Sequence, residues 1–218
     1  ALDTAQVAAI ETYDVSALTT AAIRALTTTA VAALTTDQMA ALTTLQVQAL
    51  STTQFSALHS TQIAALDSTG VAALTGAQVA VMSTTQVAGL DTNDLSALTT
   101  ANIRLLTTSA VGALSTDQIE ALSTTQVQAM TSLQIGVLDT AQVAALESTD
   151  LAILSATQAA ALDTAQVAAI ETGDILALNT TALKAMSSTA IGALTTDQVA
   201  AMTSTDRKST RLNSSHGY

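Results

Sequence analysis

Residues 43–66 read TTLQVQAL STTQFSAL HSTQIAAL. Three blocks of eight share a polar first residue, Gln at the fourth place, a bulky apolar residue at the fifth, Ala at the seventh and Leu at the eighth. A fixed period is the signature of a repeat architecture. Followed outward in both directions, the pattern gives 25 octads without insertion from Asp3 to Met202, octad n spanning residues 8n−5 to 8n+2. Position 8 is Leu, Ile or Met in all 25, and position 5 is apolar and bulky in 24, Ala159 being the exception. Position 7 is Ala in 20, position 2 is Thr or Ser in 23 (Gly76 and Ala156 differ), and position 4 is Gln in 14.

A longer period lies on top. DTAQVAAIETYD at Asp3 returns as STTQVAGLDTND at Ser83 and as DTAQVAAIETGD at Asp163, so ten octads form an 80-residue unit. Between residues 3–42 and 163–202, 26 of 40 positions are identical. Arg24, Arg104 and Lys184, the only basic residues before residue 206, occupy one slot of that unit. Duplication of the block is the simplest account.

One unbroken helix does not fit the period. Eight residues turn an α-helix by about 800°, so the Leu stripe drifts by ~80° per octad and leaves no fixed apolar face. One short helix per octad does fit. Position 1 is mostly Thr, Ser, Asp or Asn, the residues favoured at N-caps. Position 4 is then the third helical residue, and T-x-x-Q or S-x-x-Q matches the capping box. Asp37, Asp117 and Asp197 fall in the first turn, where the helix dipole favours an acid. The next cap needs extended dihedrals, which breaks the helix and turns the chain without Pro. A helix this short is marginal alone, so it must stack on its neighbours in a solenoid. The expected fold is all-α, a solenoid of short capped helices. Positions 5, 7 and 8 are expected inside and positions 1, 3 and 6 mostly outside, with Ala at position 7 letting coils approach. A β-solenoid is the alternative, favoured by the Thr and Val content. Against it, positions 5, 7 and 8 break the alternation of period two that strands need.

Composition narrows the function. The 218 residues carry a net charge of −11, with one Phe, two Tyr and no Trp, Pro or Cys. So acidic a chain repels nucleic acid and anionic membranes. No stretch approaches the ~20 apolar residues of a membrane span, so no membrane insertion is expected. Absence of Cys excludes disulfides and thiolate metal sites. The chain opens on Ala1, which suggests a fragment or a processed segment.

The period stops at the end. Asp206 to His216 read DRKSTRLNSSH and hold half of the basic residues. These eleven residues resemble the translation of a common sequencing-library adapter. The expected organisation is therefore one octapeptide solenoid over 1–205 and a disordered, non-native tail over 206–218. Residues 1–205 alone carry three basic and sixteen acidic side chains, a net −13.

No catalytic, cofactor-binding or metal-binding residue is assigned. His59 stands at a cap position with no second His or Cys beside it. Asp3, Asp67, Asp91, Asp139 and Asp163 could hold Ca²⁺ only if they stacked, and N-capping already accounts for them. Asp14 and Arg24, Asp94 and Arg104, and Asp174 and Lys184 keep a spacing of ten, which suggests ion pairs between adjacent octads. Tyr13 and Phe55 are too few for a base-stacking platform, and no G-x-S-x-G elbow occurs.

The motif L-S/T-x-x-Q-V/I-x-A-L resembles long repeat tracts of large bacterial secreted and surface proteins, over residues 1–205. The resemblance implies a non-enzymatic stalk or spacer in an extracellular, adhesin-like protein. A second expectation comes from the Thr at position 2. Regular Thr arrays with Ala resemble the ice-binding surfaces of some antifreeze proteins, and this implies a surface-binding module. Neither end carries a polar cap repeat, so end-to-end self-association is also expected.

Overall fold

A computed structural model describes residues 3–202 of the chain. The adapter-like segment 206–218 lies outside the described residues. Each of octads 1 to 24 forms one short helix, from Thr4–Ala8 in the first to Ser188–Gly192 in the last, and residues 196–202 are helical in octad 25. No strand occurs among the described residues, so the helical solenoid holds and the β alternative does not.

The caps are why the helices are short. Position 1 takes extended dihedrals, for example φ −72°, ψ 163° at Thr35, and its side-chain oxygen accepts the backbone N–H three residues on. Position 8 is extended as well, as at Leu50 with φ −60°, ψ 124°. Two extended residues thus separate successive helices. No residue with positive φ occurs among those described, so the corners need no Gly. Glu11, His59 and Glu147 take the extended dihedrals without a side-chain cap bond, and octad 22 departs further. Glu171, Thr172 and Gly173 supply no side-chain cap, and Asp174–Ala177 form a 3-10 turn instead.

Two compact units result, Ala1–Ala129 and Met130–Tyr218. Within the first, each helix packs against the helix three octads on, as octad 3 does with 6, 8 with 11 and 9 with 12. The second unit repeats the rule, octad 18 with 21 and 20 with 23. Position 5 is buried from Val7 to Ile175, and position 8 from Leu26 to Met186. Each such side chain contributes roughly 1.5–3 kcal/mol of burial. Stability in such a fold sums over coils rather than arising in one core.

Burial corrects one expectation. Position 7 lies mostly at the edge rather than inside, with Ala49 the buried exception among the alanines there. Ala57, Ala65 and Ala73 are half-buried, and position 4 takes the inner place instead, with Gln46, Gln54 and Gln62 buried. In a helix of about one and a half turns the inward face is positions 4, 5 and 8, one residue plus its i+1 and i+4 neighbours. Position 7 sits at the joint between coils. At Gly89, which stands there in octad 11, a Cβ would meet Ser60 Cβ at 3.0 Å and Ser60 O at 3.3 Å. Small side chains at position 7 do let the coils come close.

Candidate functional site

The recurring polar feature of the interior is the glutamine at position 4, and it works at both ends. Gln54 Oε1 accepts the Ser51 N–H at 2.8 Å, and Gln54 N donates to Ser51 Oγ at 3.2 Å, closing the capping box. Its Nε2 turns to the preceding coil and donates to Leu26 O at 2.7 Å and Ile23 O at 2.9 Å. Gln62 makes the same pair with Leu34 O and Val31 O, and Gln86 with Leu58 O and Phe55 O. In the second unit Gln166 reaches Leu138 O and Ile135 O, and Gln198 reaches Ile170 O and Val167 O.

The geometry has a backbone cause. The break after position 8 leaves that residue's carbonyl with no helical partner, and a buried acceptor without a donor costs about 1–3 kcal/mol. The amide from the next coil supplies the donor. The partners lie 28 and 31 residues back, while helices touch at three octads' distance. A coil therefore closes between three and four octads. The sequence carried one signal for this second role. A capping box accepts Glu or Gln, yet position 4 is Gln 14 times and never Glu. Only Gln can donate from its far end.

Some slots lack Gln. Octads 12, 13 and 14 carry Asp94, Asn102 and Ala110 at position 4, and octads 22, 23 and 24 carry Asp174, Ala182 and Ala190. Asn102 is shorter and still donates to Leu74 O at 2.8 Å. In octad 23 the cap Asn179 compensates, its Nδ2 lying 3.0 Å from both Ala152 O and Leu154 O. Asp94 and Asp150 are the buried acids of the interior. Burial pushes the Asp94 carboxyl up to about 6, with Asp91 and Asp67 adding to the shift. Burial also raises the Asp150 carboxyl, against a lowering hydrogen bond from the Glu147 backbone, and Asp150 Oδ1 has no hydrogen-bond partner.

The candidates singled out in the sequence do not converge. His59 caps octad 8, its N–H donating to Gln62 Oε1 at 2.8 Å, and the residue is exposed. Asp3, Asp67, Asp91, Asp139 and Asp163 each accept the N–H three residues on. No three His, Cys, Asp or Glu side chains come together as a metal site among the described residues. Among the described residues the expected ion pairs do not form. Asp94 lies inward at position 4 while Arg104 lies outward at position 6, which puts these two charges on opposite faces; Asp14 and Arg24 are both exposed. Phe55 is fully buried and Tyr13 fully outward.

The rim is hydroxyl-rich. The Thr, Ser, Asp and Asn oxygens at position 1 are taken by the caps, and several also pair with position 3, as Ser83 with Thr85 at 3.0 Å. The Thr at position 2 is exposed or half-buried throughout. Its hydroxyl is not the capping group.

Short capped helices tied coil to coil by two-ended side chains define an α-solenoid of octapeptide repeats. A family model described as the ALTTAQ repeat matches residues 7–44, 40–68, 87–124, 119–148 and 167–204. The chain belongs to the ALTTAQ repeat family. The matches beginning at 7, 87 and 167 follow the 80-residue duplication. A search of curated proteins returned no match. No helix among the described residues is long and apolar enough to cross a membrane.

Proposed function

We propose that the chain is a non-enzymatic structural repeat region, a stalk or spacer of a bacterial extracellular or surface protein. The observation that carries the reading is the glutamine bond recurring from coil to coil in one register. A module held by the same bond at each step extends by adding copies, as the 80-residue duplication does. The outward positions are mostly Ala, Thr and Ser with a few larger residues such as Tyr13, Leu45 and Leu133, and no three His, Cys, Asp or Glu side chains converge among the described residues. Surface labelling of intact producing cells tests the location. The reading requires the repeat to be reached by antibody or shaved by added protease, and confinement to the cytosolic fraction refutes it.

A second reading, binding of ice or another regular surface, has one observation in its favour. The position-2 hydroxyls face outward and are not used by the caps. The closure between three and four octads weighs against it, because equivalent threonines in successive coils are then staggered. An ice-recrystallisation assay decides, and inhibition at micromolar protein would favour the second reading. End-to-end self-association belongs with the first. Sedimentation over a range of concentrations tests it, and a concentration-independent monomer excludes it.

A further inference from the structure

The slot at position 4 is a test of donors. It faces a main-chain carbonyl of the preceding coil, and Gln62, Gln86 and Asn102 each fill it with an amide N–H. Asp94 stands in that slot in octad 12 and is buried, and the same register, 28 residues back, assigns it Leu66 O. Octad 12 packs on octad 9, which opens with Asp67, the residue after Leu66. A carboxylate has no proton to give, whereas a carboxylic acid has one. We propose that Asp94 is a proton-operated latch between coils: protonated, it does for Leu66 O what glutamine does elsewhere, and ionised, it leaves the seam between octads 8 and 12 without that bond.

The surroundings favour the neutral form. Octad 9, which packs on octad 12, brings Asp67, and octad 12 itself brings Asp91. On the other side octad 15 carries Asp117 and Glu120, both exposed. The bases are distant in role: Arg104 in octad 13 is exposed, and His59 opens octad 8 as an exposed cap. Asp150 shows the same chemistry at the same octad position, buried with one oxygen unpartnered. The latch sits in a stretch poor in glutamine, since octads 12 to 14 have none and Ala110 offers Met82 O no donor.

The sign follows from linkage. A carboxyl whose folded pKa lies above its unfolded one stabilises the fold at low pH, and the contribution is lost as pH rises through the folded value. With the carboxyl at about 6, the local opening constant should fall by up to about tenfold per pH unit from pH 6 toward 4.5. Hydrogen exchange across octads 8 and 12 of the full chain, at pH 7.5, 6.0 and 5.0 and corrected for intrinsic rates, reads this directly. Asp94→Asn carries a permanent donor, as Asn102 does. It should be more protected than the parent at pH 7.5 and should lose most of the pH dependence, while the remaining acids act equally in both proteins. An unchanged pH dependence, or weaker protection at pH 7.5, overturns the proposal. A ¹³C titration of the Asp94 carboxyl in the parent needs no variant. A midpoint near 6 agrees, and one near 4 refutes.

Discussion

Gln54 offers the sharpest probe of the coil-to-coil bond. Gln54→Glu keeps the size and keeps an oxygen for the Ser51 N–H. It replaces the donor that meets Leu26 O at 2.7 Å and Ile23 O at 2.9 Å with a second acceptor. Three costs arise at neutral pH: a buried carbonyl loses its donor, oxygen lone pairs oppose each other, and a charge enters a buried position. The first alone is worth about 1–3 kcal/mol and the charge adds to it, so the loss should be about 3–4 kcal/mol. Below the raised pKa of the new carboxyl the proton restores one donor, and the loss should shrink to about 1 kcal/mol. Gln6 is the internal control. It makes the local bond, Asp3 N–H to Oε1 at 3.0 Å, and is exposed. Gln6→Glu should stay within about 0.5 kcal/mol of the parent. Equilibrium urea unfolding followed by circular dichroism, at pH 7 and pH 4.5, measures both. Equal losses at the two sites would refute the two-ended role and reduce Gln54 to a cap.

Three further outcomes are expected. Thr35→Ala removes the oxygen that accepts Gln38 N–H at 3.2 Å and should cost about 1 kcal/mol in a thermal melt, while Thr36→Ala, at an exposed position 2, should be neutral or slightly stabilising. Phe55→Ala empties a fully buried site and should cost about 3–5 kcal/mol by urea unfolding. Asn179→Ala loses two bonds to the preceding coil and the cap on Ala182 N–H at 2.8 Å, and a loss of about 2 kcal/mol is expected, read as faster hydrogen exchange in octads 19 and 23.

The local half of the structure was written in the octad. A cap and its box act across three residues, so T-x-x-Q with a bulky apolar residue at position 5 was enough to set one helix per repeat, its start, and the inward place of positions 5 and 8. The absence of Pro pointed to caps as the corners, and extended dihedrals at positions 8 and 1 bear that out. Spacing alone misplaced Ala at position 7, because a helix this short has no complete face and the next coil sets what is covered. It misread the spacing of ten between Asp94 and Arg104 as an ion pair for the same reason, since Asp94 points inward and Arg104 outward. The closure of a coil between three and four octads depends on the turn angle at every corner. Small angles accumulate over 28 residues, and no eight-residue pattern encodes their sum. Gln54 Nε2, the donor slot that Asp94 fills, and the rescue of Leu154 O by Asn179 all wait on that closure. The sequence by itself determined the unit and its ends; the tertiary structure decided which carbonyl each unit would meet.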